Sequence, residues 1–297
     1  MSQQVTTAFA QQYSANVELQ FQQMGSRLRK YVTEDPMGAE YKYFDRVGTV
    51  NAKLKGARHA DVTYSDTPHS RRRVSFEDFY HADMIDKEDK LRMIIDPTSE
   101  YVRTAVYALG RQLDDIIINA ALGTAYTGKT GSTSVSLPAA QQIGVDFVEG
   151  GGSTASNLTI GKLREALKKL RAAEAIMEGE TPVVVLNASA ENALLRTTEV
   201  TSADYNAVRA LVNGELNTFL GMEFCRTERV LQDTNSYDRI IVMPKSAVKM
   251  AVASDISAKV EQIPHKFYNY QVLAEMCAGA VRMWEEKVVE IKCDPTK

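Results

Sequence analysis

The chain has 297 residues, 35 basic against 38 acidic, for a formal net charge of −3, and 44% of it is hydrophobic. This is ordinary globular composition, enough for one large domain or two typical ones and for a core without covalent staples. No apolar run reaches the roughly 18 residues of a membrane span; Met1 to Ala10 lacks the basic and apolar regions of a signal peptide; the near-neutral balance argues against a strongly basic nucleic-acid binder.

The first thirty residues carry seven glutamines and almost no charge before Arg27, Arg29 and Lys30. Tyr13, Val17, Phe21, Met24 and Leu28 recur at helical steps and predict one apolar stripe. Such a helix docks on its own domain or reaches a partner. Pro36 to Met93 reads as extended and polar, with Ala60 to Tyr64 alternating like an exposed strand. Lys53, Lys55, Arg58, Arg71, Arg72 and Arg73 make its middle, Lys53 to Arg73, basic. It should form a long hairpin, or an arm packing on something else. Its charges suit a phosphate backbone, an acidic surface on a neighbouring copy, or plain solvent.

Asp96-Pro97 sets up a helix start, as N-cap and first helical position. Val102, Val106, Leu109, Leu113, Ile116 or Ile117, and Ala120 then predict a helix to Leu122, stopped by Gly123. At about 25 residues it would be roughly 37 Å long, far beyond the average helix. Residues 124–156 are rich in Gly, Ser and Thr and read as a loop or insertion. A second helix is expected from Thr159 to Glu178, buried through Ile160, Leu163, Leu167, Leu170, Ala173 and Met177. Val183 to Leu186 is a buried strand. Short helices near Ala190 to Leu195 and Ser202 to Val212 follow, then strands at Met222 to Arg226 and Arg239 to Met243. Beyond Pro244 a helix containing Val248 and Ala251 is expected, and Tyr268 to Val289 is mostly strand-like. The sum is α+β without regular βαβ alternation.

Residues Gly123 to Thr130 match the phosphate-cradling pattern G-x-x-x-x-G-K-[ST]. That chemistry needs a strand before the loop and a helix after it. Here a long helix precedes it and Ser132 to Pro138 is a poor helix former, so the expectation is a Gly-rich turn rather than a nucleotide site using Lys129. His81, Asp83 and Asp86 read as scattered solvated charge, not metal ligands. Asp114 and Asp115 are adjacent on a helix, point apart, and cannot form a carboxylate dyad. Glu285-Glu286 reads as an ordinary charged turn. Cys225, Cys277 and Cys293 are odd in number and lack C-x-x-C spacing, so they read as small buried hydrophobes in a reducing compartment. No catalytic, cofactor or metal site is expected.

The order of elements carries a resemblance. It runs from the glutamine-rich segment and basic extended stretch to the long helix with Tyr107-Ala108-Leu109-Gly110-Arg111-Gln112-Leu113-Asp114. It continues through Val183-Val184-Val185-Leu186-Asn187, Phe219-Leu220-Gly221-Met222-Glu223-Phe224 and Val242-Met243-Pro244-Lys245-Ser246-Ala247-Val248, and closes on Gly279-Ala280-Val281-Arg282-Met283. This resembles the major capsid proteins of tailed bacteriophages, the Hong Kong 97 phage fold, over nearly the whole chain. The resemblance implies an N-terminal arm at 1–35, an extended loop (E-loop) at 36–94, and a peripheral domain at 95–181 with spine helix 97–122 and the loop 124–156. An axial domain at 182–264 and a return strand of the peripheral domain at 265–297 complete the mapping. It further implies pentamers and hexamers closing an icosahedral shell around double-stranded DNA, assembled in the host cytoplasm and found in the virion, with arm and E-loop reaching neighbours.

Contacts between copies are therefore expected at Lys53, Lys55, Arg58, Arg71, Arg72 and Arg73 and at Tyr13, Val17, Phe21 and Met24. Partners implied are further copies, a portal, weakly held DNA and, because only about 35 residues precede the E-loop, a separate scaffolding protein. No membrane partner is expected. The Lys-to-Asn crosslink of some family members is not assigned to any residues of this chain. An encapsulin-like compartment, with the same fold and a protein cargo, is the alternative.

Overall fold

The computed structural model describes residues 22–59, 61–86, 98–196 and 218–297. In chain order these form β1 (Thr33–Pro36), β2 (Tyr41–Val47), β3 (His69–Ser75), β4 (Glu77–Ile85), α1 (Thr98–Leu122), β5 (Ala125–Thr127), β6 (Thr133–Val135), β7 (Gln142–Ile143), α2 (Ile160–Ala172), β8 (Val183–Leu186), α3 (Ala188–Leu195), β9 (Thr218–Phe219), β10 (Met222–Arg226), β11 (Asp238–Met243), β12 (Val248–Ile263), β13 (Asn269–Arg282) and β14 (Val289–Cys293). The strands make three sheets, ordered β1-β12-β13-β4, β7-β14-β11-β8-β10-β9 and β2-β3-β5-β6. The chain divides into two compact units. One holds Met1–Gly25, Asp78–Arg111 and Ser254–Cys277; the other holds Ser26–Glu77, Gln112–Ala253 and Ala278–Lys297.

The second unit contains a core built on the six-stranded sheet. All four residues of β8 are buried, because β10 pairs with it in parallel on one side and β11 antiparallel on the other. A continuous Val-Val-Val-Leu run suits a strand covered on both faces. Helix α2 lays Leu163, Ala166, Leu167 and Leu170 against Val184, Leu186, Ile240, Val242 and Ile291. Each of the leucine, isoleucine and valine side chains contributes about 1.5 to 3 kcal/mol on full burial. Thr159 caps α2, its hydroxyl accepting from the Lys162 N–H.

Helix α2 stops at Ala172, six residues short of the expected Glu178. Glu174 adopts the left-handed conformation at φ 50°. Its N–H donates to the Arg171 carbonyl and that of Ala175 to the Leu170 carbonyl, a Schellman closure with Ala175 buried behind it. Met177, expected on the buried face, is 59% exposed as a result.

Helix α1 covers the expected long helix, from Thr98 to Leu122. Leu109, Leu113, Ile117 and Ala121 are buried. Its last turn is closed from outside the helix. The Arg282 guanidinium, at the end of β13, donates to the carbonyls of Ala121 (2.7 Å) and Gly123 (2.9 Å) and, through its other terminal nitrogen, to Val135 (3.2 Å). These orphan carbonyls carry the helix's negative end, so a buried cation there is doubly favoured.

Other expectations are corrected. Beyond Pro244 there is one 3-10 turn, Lys245–Ala247, and then β12; Ala251 lies in that strand among Phe44, Val74 and Val281, so pairing overrode local helix preference. Ala60 to Tyr64 forms no strand among its described residues. The stretch 124–156 is not a structureless insertion: it supplies β5 and β6 to the hairpin sheet and β7 to the six-stranded sheet. The helical stripe does not continue to Leu28. Gly25 takes φ +75°, Met24 is 75% exposed, and Leu28 is buried. Tyr13, Val17 and Phe21, and the helix expected at Ser202 to Val212, lie outside the described residues.

Candidate functional site

Strands β2 and β3 pair antiparallel from Tyr41 opposite Ser75 to Val47 opposite His69, leaving the intervening residues as the hairpin tip. The period-2 alternation of a strand splits the hairpin into two chemistries. Inward, Phe44 and Val74 are buried and pack with Ala125, Ala251, Val281 and Met283. Outward, Tyr41, Tyr43 and Tyr126 are partly exposed, with Arg73 over the rings of Tyr41 (5.1 Å) and Tyr126 (5.2 Å).

This geometry separates the three consecutive arginines. Arg71 is on the surface and pairs with Asp45 across the strands at 2.6 Å. Arg72 is turned inward, buried, and ion-paired to Glu285, its Nε also donating to the Met283 carbonyl at 3.3 Å. Its contact is thus within one chain. Arg73 lies between the two tyrosines. At the tip, Lys53, Lys55 and Arg58 are exposed. Lys53 donates to the Tyr64 carbonyl at 3.2 Å, drawing the two sides of the tip together. Leu54 and Tyr64 are at least 90% exposed, apolar surface with no cover in a single subunit.

The hairpin root holds residues that sequence reasoning missed. Arg46 of β2 lies over the Trp284 ring at 4.4 Å and donates to the Met283 carbonyl. Arg46, Arg72 and Arg282 all converge on Glu285, with Arg46 at 3.9 Å and Arg282 at 3.8 Å. The Glu285 reading as an ordinary charged turn is therefore corrected. Burial, and then the neighbouring Arg72, push the Arg46 guanidinium below its usual basicity; burial does the same to Arg282. The one sequence signal was Arg282 standing in an apolar strand.

The remaining sequence candidates resolve simply. Gly123 to Thr130 runs from the end of α1 into β5 and the turn to β6; no helix follows, and Lys129 is exposed on that turn, so the phosphate-cradle geometry is missing. No cluster of metal ligands occurs among the described residues, His81, Asp83 and Asp86 included. Asp114 is buried and accepts from the backbone N–H groups of Arg27 and Leu28 at 3.1 and 3.0 Å, while Asp115 takes Arg229. Burial raises the thiols of Cys225 to about 11 and of Cys293 to about 12; burial, then a hydrogen bond with Asp78, raises Cys277 to about 11. No helix among the described residues is long and apolar enough to cross a membrane.

A hairpin with an uncovered tip, a 25-residue helix and a six-stranded core are the parts of a Hong Kong 97-type phage capsid subunit, and solved capsids match them throughout. The cyanophage P-SCSP1u capsid shares 16% identity at a TM-score of 0.75, covering 98% of this chain and 94% of that one. The cyanophage Pam1 capsid shares 14% at 0.73, covering 98% and 97%. The Ralstonia phage GP4 capsid shares 11% at 0.73, covering 96% and 95%. No curated protein matches. The phage capsid protein family matches residues 5–295, and the chain belongs to that family. It is a shell protein of a phage capsid, a component of the virion assembled from many copies of itself.

Proposed function

We propose that the chain is the major capsid protein of a tailed phage, forming pentamers and hexamers that close into an icosahedral shell around double-stranded DNA. The observation that carries this reading is the end-to-end likeness to phage capsids, 98% of this chain on 94% of the P-SCSP1u subunit. Residues 1–35 serve as the arm, 36–94 as the E-loop, 95–181 and 265–297 as the peripheral domain, and 182–264 as the axial domain. The exposed cations Lys53, Lys55 and Arg58 and the apolar Leu54 and Tyr64 support a tip that gains its cover from a neighbour. Tyr13, Val17, Phe21 and Met24 belong to the same proposed contact set. The slightly acidic chain suits a wall that holds DNA without gripping it. A separate scaffolding protein, a portal and assembly in the host cytoplasm complete the proposal.

Electron cryo-microscopy of the chain, expressed with a scaffolding protein, tests it. Closed shells of pentamers and hexamers are expected, with double-stranded DNA inside particles from infected cells. Protein that stays monomeric under all assembly conditions would refute the shell, and an enzyme cargo in place of DNA would assign the particle to the encapsulin-like class.

A further inference from the structure

Within the second unit a cleft of about 320 Å³ opens between α1, β3, β5 and the end of β13, a volume in the range of ligand sites. Its floor is Ala278-Gly279-Ala280, where a Cβ on Gly279 would stand 2.2 Å from the Ser75 carbonyl oxygen. Backbone therefore meets backbone there, and the floor carries no large side chain. Helix α1 forms one wall and contributes Gln112 and Asn119. Seven residues apart, they lie two turns along one face, and neither side-chain amide has a partner among the described residues. Arg73 forms the opposite wall. Its stem rests on Gly131, where a Cβ would come 2.6 Å from the arginine Cδ. Its guanidinium is flanked by the rings of Tyr41 and Tyr126 and has no carboxylate partner among the described residues.

We propose that this cleft receives an extended, carboxylate-bearing segment of a second copy of the chain. A guanidinium whose stem packs on Gly131 and whose head lies near two aromatic rings is restrained for pairing with a carboxylate. The amides of Gln112 and Asn119 each offer a donor and an acceptor, the complement of a peptide backbone. Glu77 also lines the cleft and repels a polyanion, so a nucleic-acid phosphate run is disfavoured relative to a single carboxylate. A second copy lies beside each subunit of a shell assembled from many copies of the chain. The inference thus rests on the shell reading and names the receiving half of one contact.

The test places a photo-crosslinking amino acid at the exposed Asn119 of the full chain and compares assembled particles with dissociated subunits. In parallel, Arg73→Gln and Gln112→Ala are assayed for the concentration at which shells form, with unfolding of the free subunit as control. The expected result is a crosslink to an Asp- or Glu-containing segment of another copy, seen in particles and absent from free subunits. Arg73→Gln should raise the assembly concentration about tenfold, the effect of losing one charge-assisted hydrogen-bonded pair, without moving the unfolding midpoint. If Arg73→Gln lowers that midpoint, Gln112→Ala and the crosslink decide. Normal assembly of the variants without a copy-to-copy crosslink, or a crosslink to nucleic acid or another protein, would overturn the cleft and leave the shell reading standing. A wild-type chain that never assembles would remove both.

Discussion

Single residues here owe their roles to the partner they face, not to their type. Asp114 and Asp115 are neighbours on α1, yet one is buried as a cap for the Arg27 and Leu28 N–H groups and the other holds Arg229; the 100° turn between successive helical residues sends them apart. Lys162 is fully buried, and its ammonium lies within 3.2 Å of the carbonyls of Val145, Ser156, Asn157 and Lys292. It ties α2 to the segment before it and to β14. Lys162→Met would leave those carbonyls without their donor and is predicted to lower stability by about 3 kcal/mol, measured as a shift of the denaturant midpoint. Burial holds the Lys162 amine below its usual basicity. The folded chain then releases that proton at lower pH than the unfolded chain does, so this residue's contribution to stability rises as pH climbs toward the ordinary lysine value. The variant should lack that part of the slope. The thiols give a second prediction. With pKa values of about 11 to 12, roughly one thiol in a thousand or fewer is ionised at pH 8, so iodoacetamide should label native subunits far more slowly than denatured ones. Rapid labelling of the native protein would contradict the burial.

Elements end and point where tertiary contacts tell them to. The periodicity of α1 was legible because its buried stripe runs over many turns, and Gly123 marked its stop, although the carbonyls there are satisfied by the distant Arg282. The stop of α2 was not legible, because Glu174 does by tertiary context what a glycine would do more cheaply. Glu174→Gly is predicted to raise stability by up to about 1 kcal/mol; a loss would show that the glutamate side chain holds something further. At the hairpin root three arginines share one carboxylate. Glu285→Gln would leave buried guanidiniums uncompensated, and a loss of about 3 kcal/mol is expected, with faster hydrogen exchange in β2 and β3 as the local sign. Unchanged exchange there would mean Phe44 and Val74 alone seat the hairpin.

At the scale of the whole molecule, the prediction concerns what a single subunit leaves uncovered. Replacing Lys53, Lys55 and Arg58 with glutamate should weaken shells without altering the subunit fold, and added salt should shrink the difference from wild type. Equal shell stability at every salt concentration would remove the electrostatic role of the tip. Truncation at the N-terminus is predicted to be tolerated only so far: removal through Gly25 spares the Ser26 to Leu28 segment docked on Asp114, whereas removal through Lys30 also strips the buried Leu28 and should lower the unfolding midpoint of the subunit itself.

The sequence by itself determined the α+β class, the long helix, the buried strand Val183 to Leu186 and, through the order of its elements, the likeness to phage capsid subunits, because periodicity and element order are local and additive properties. Only the tertiary structure decided which of Arg71, Arg72 and Arg73 faces solvent, that Glu285 and Arg282 anchor the hairpin root and the end of α1, and that Arg73, Gln112 and Asn119 share a cleft. Those outcomes depend on strand register and on which backbone carbonyls are left without donors, and both are set by contacts between residues far apart in the chain.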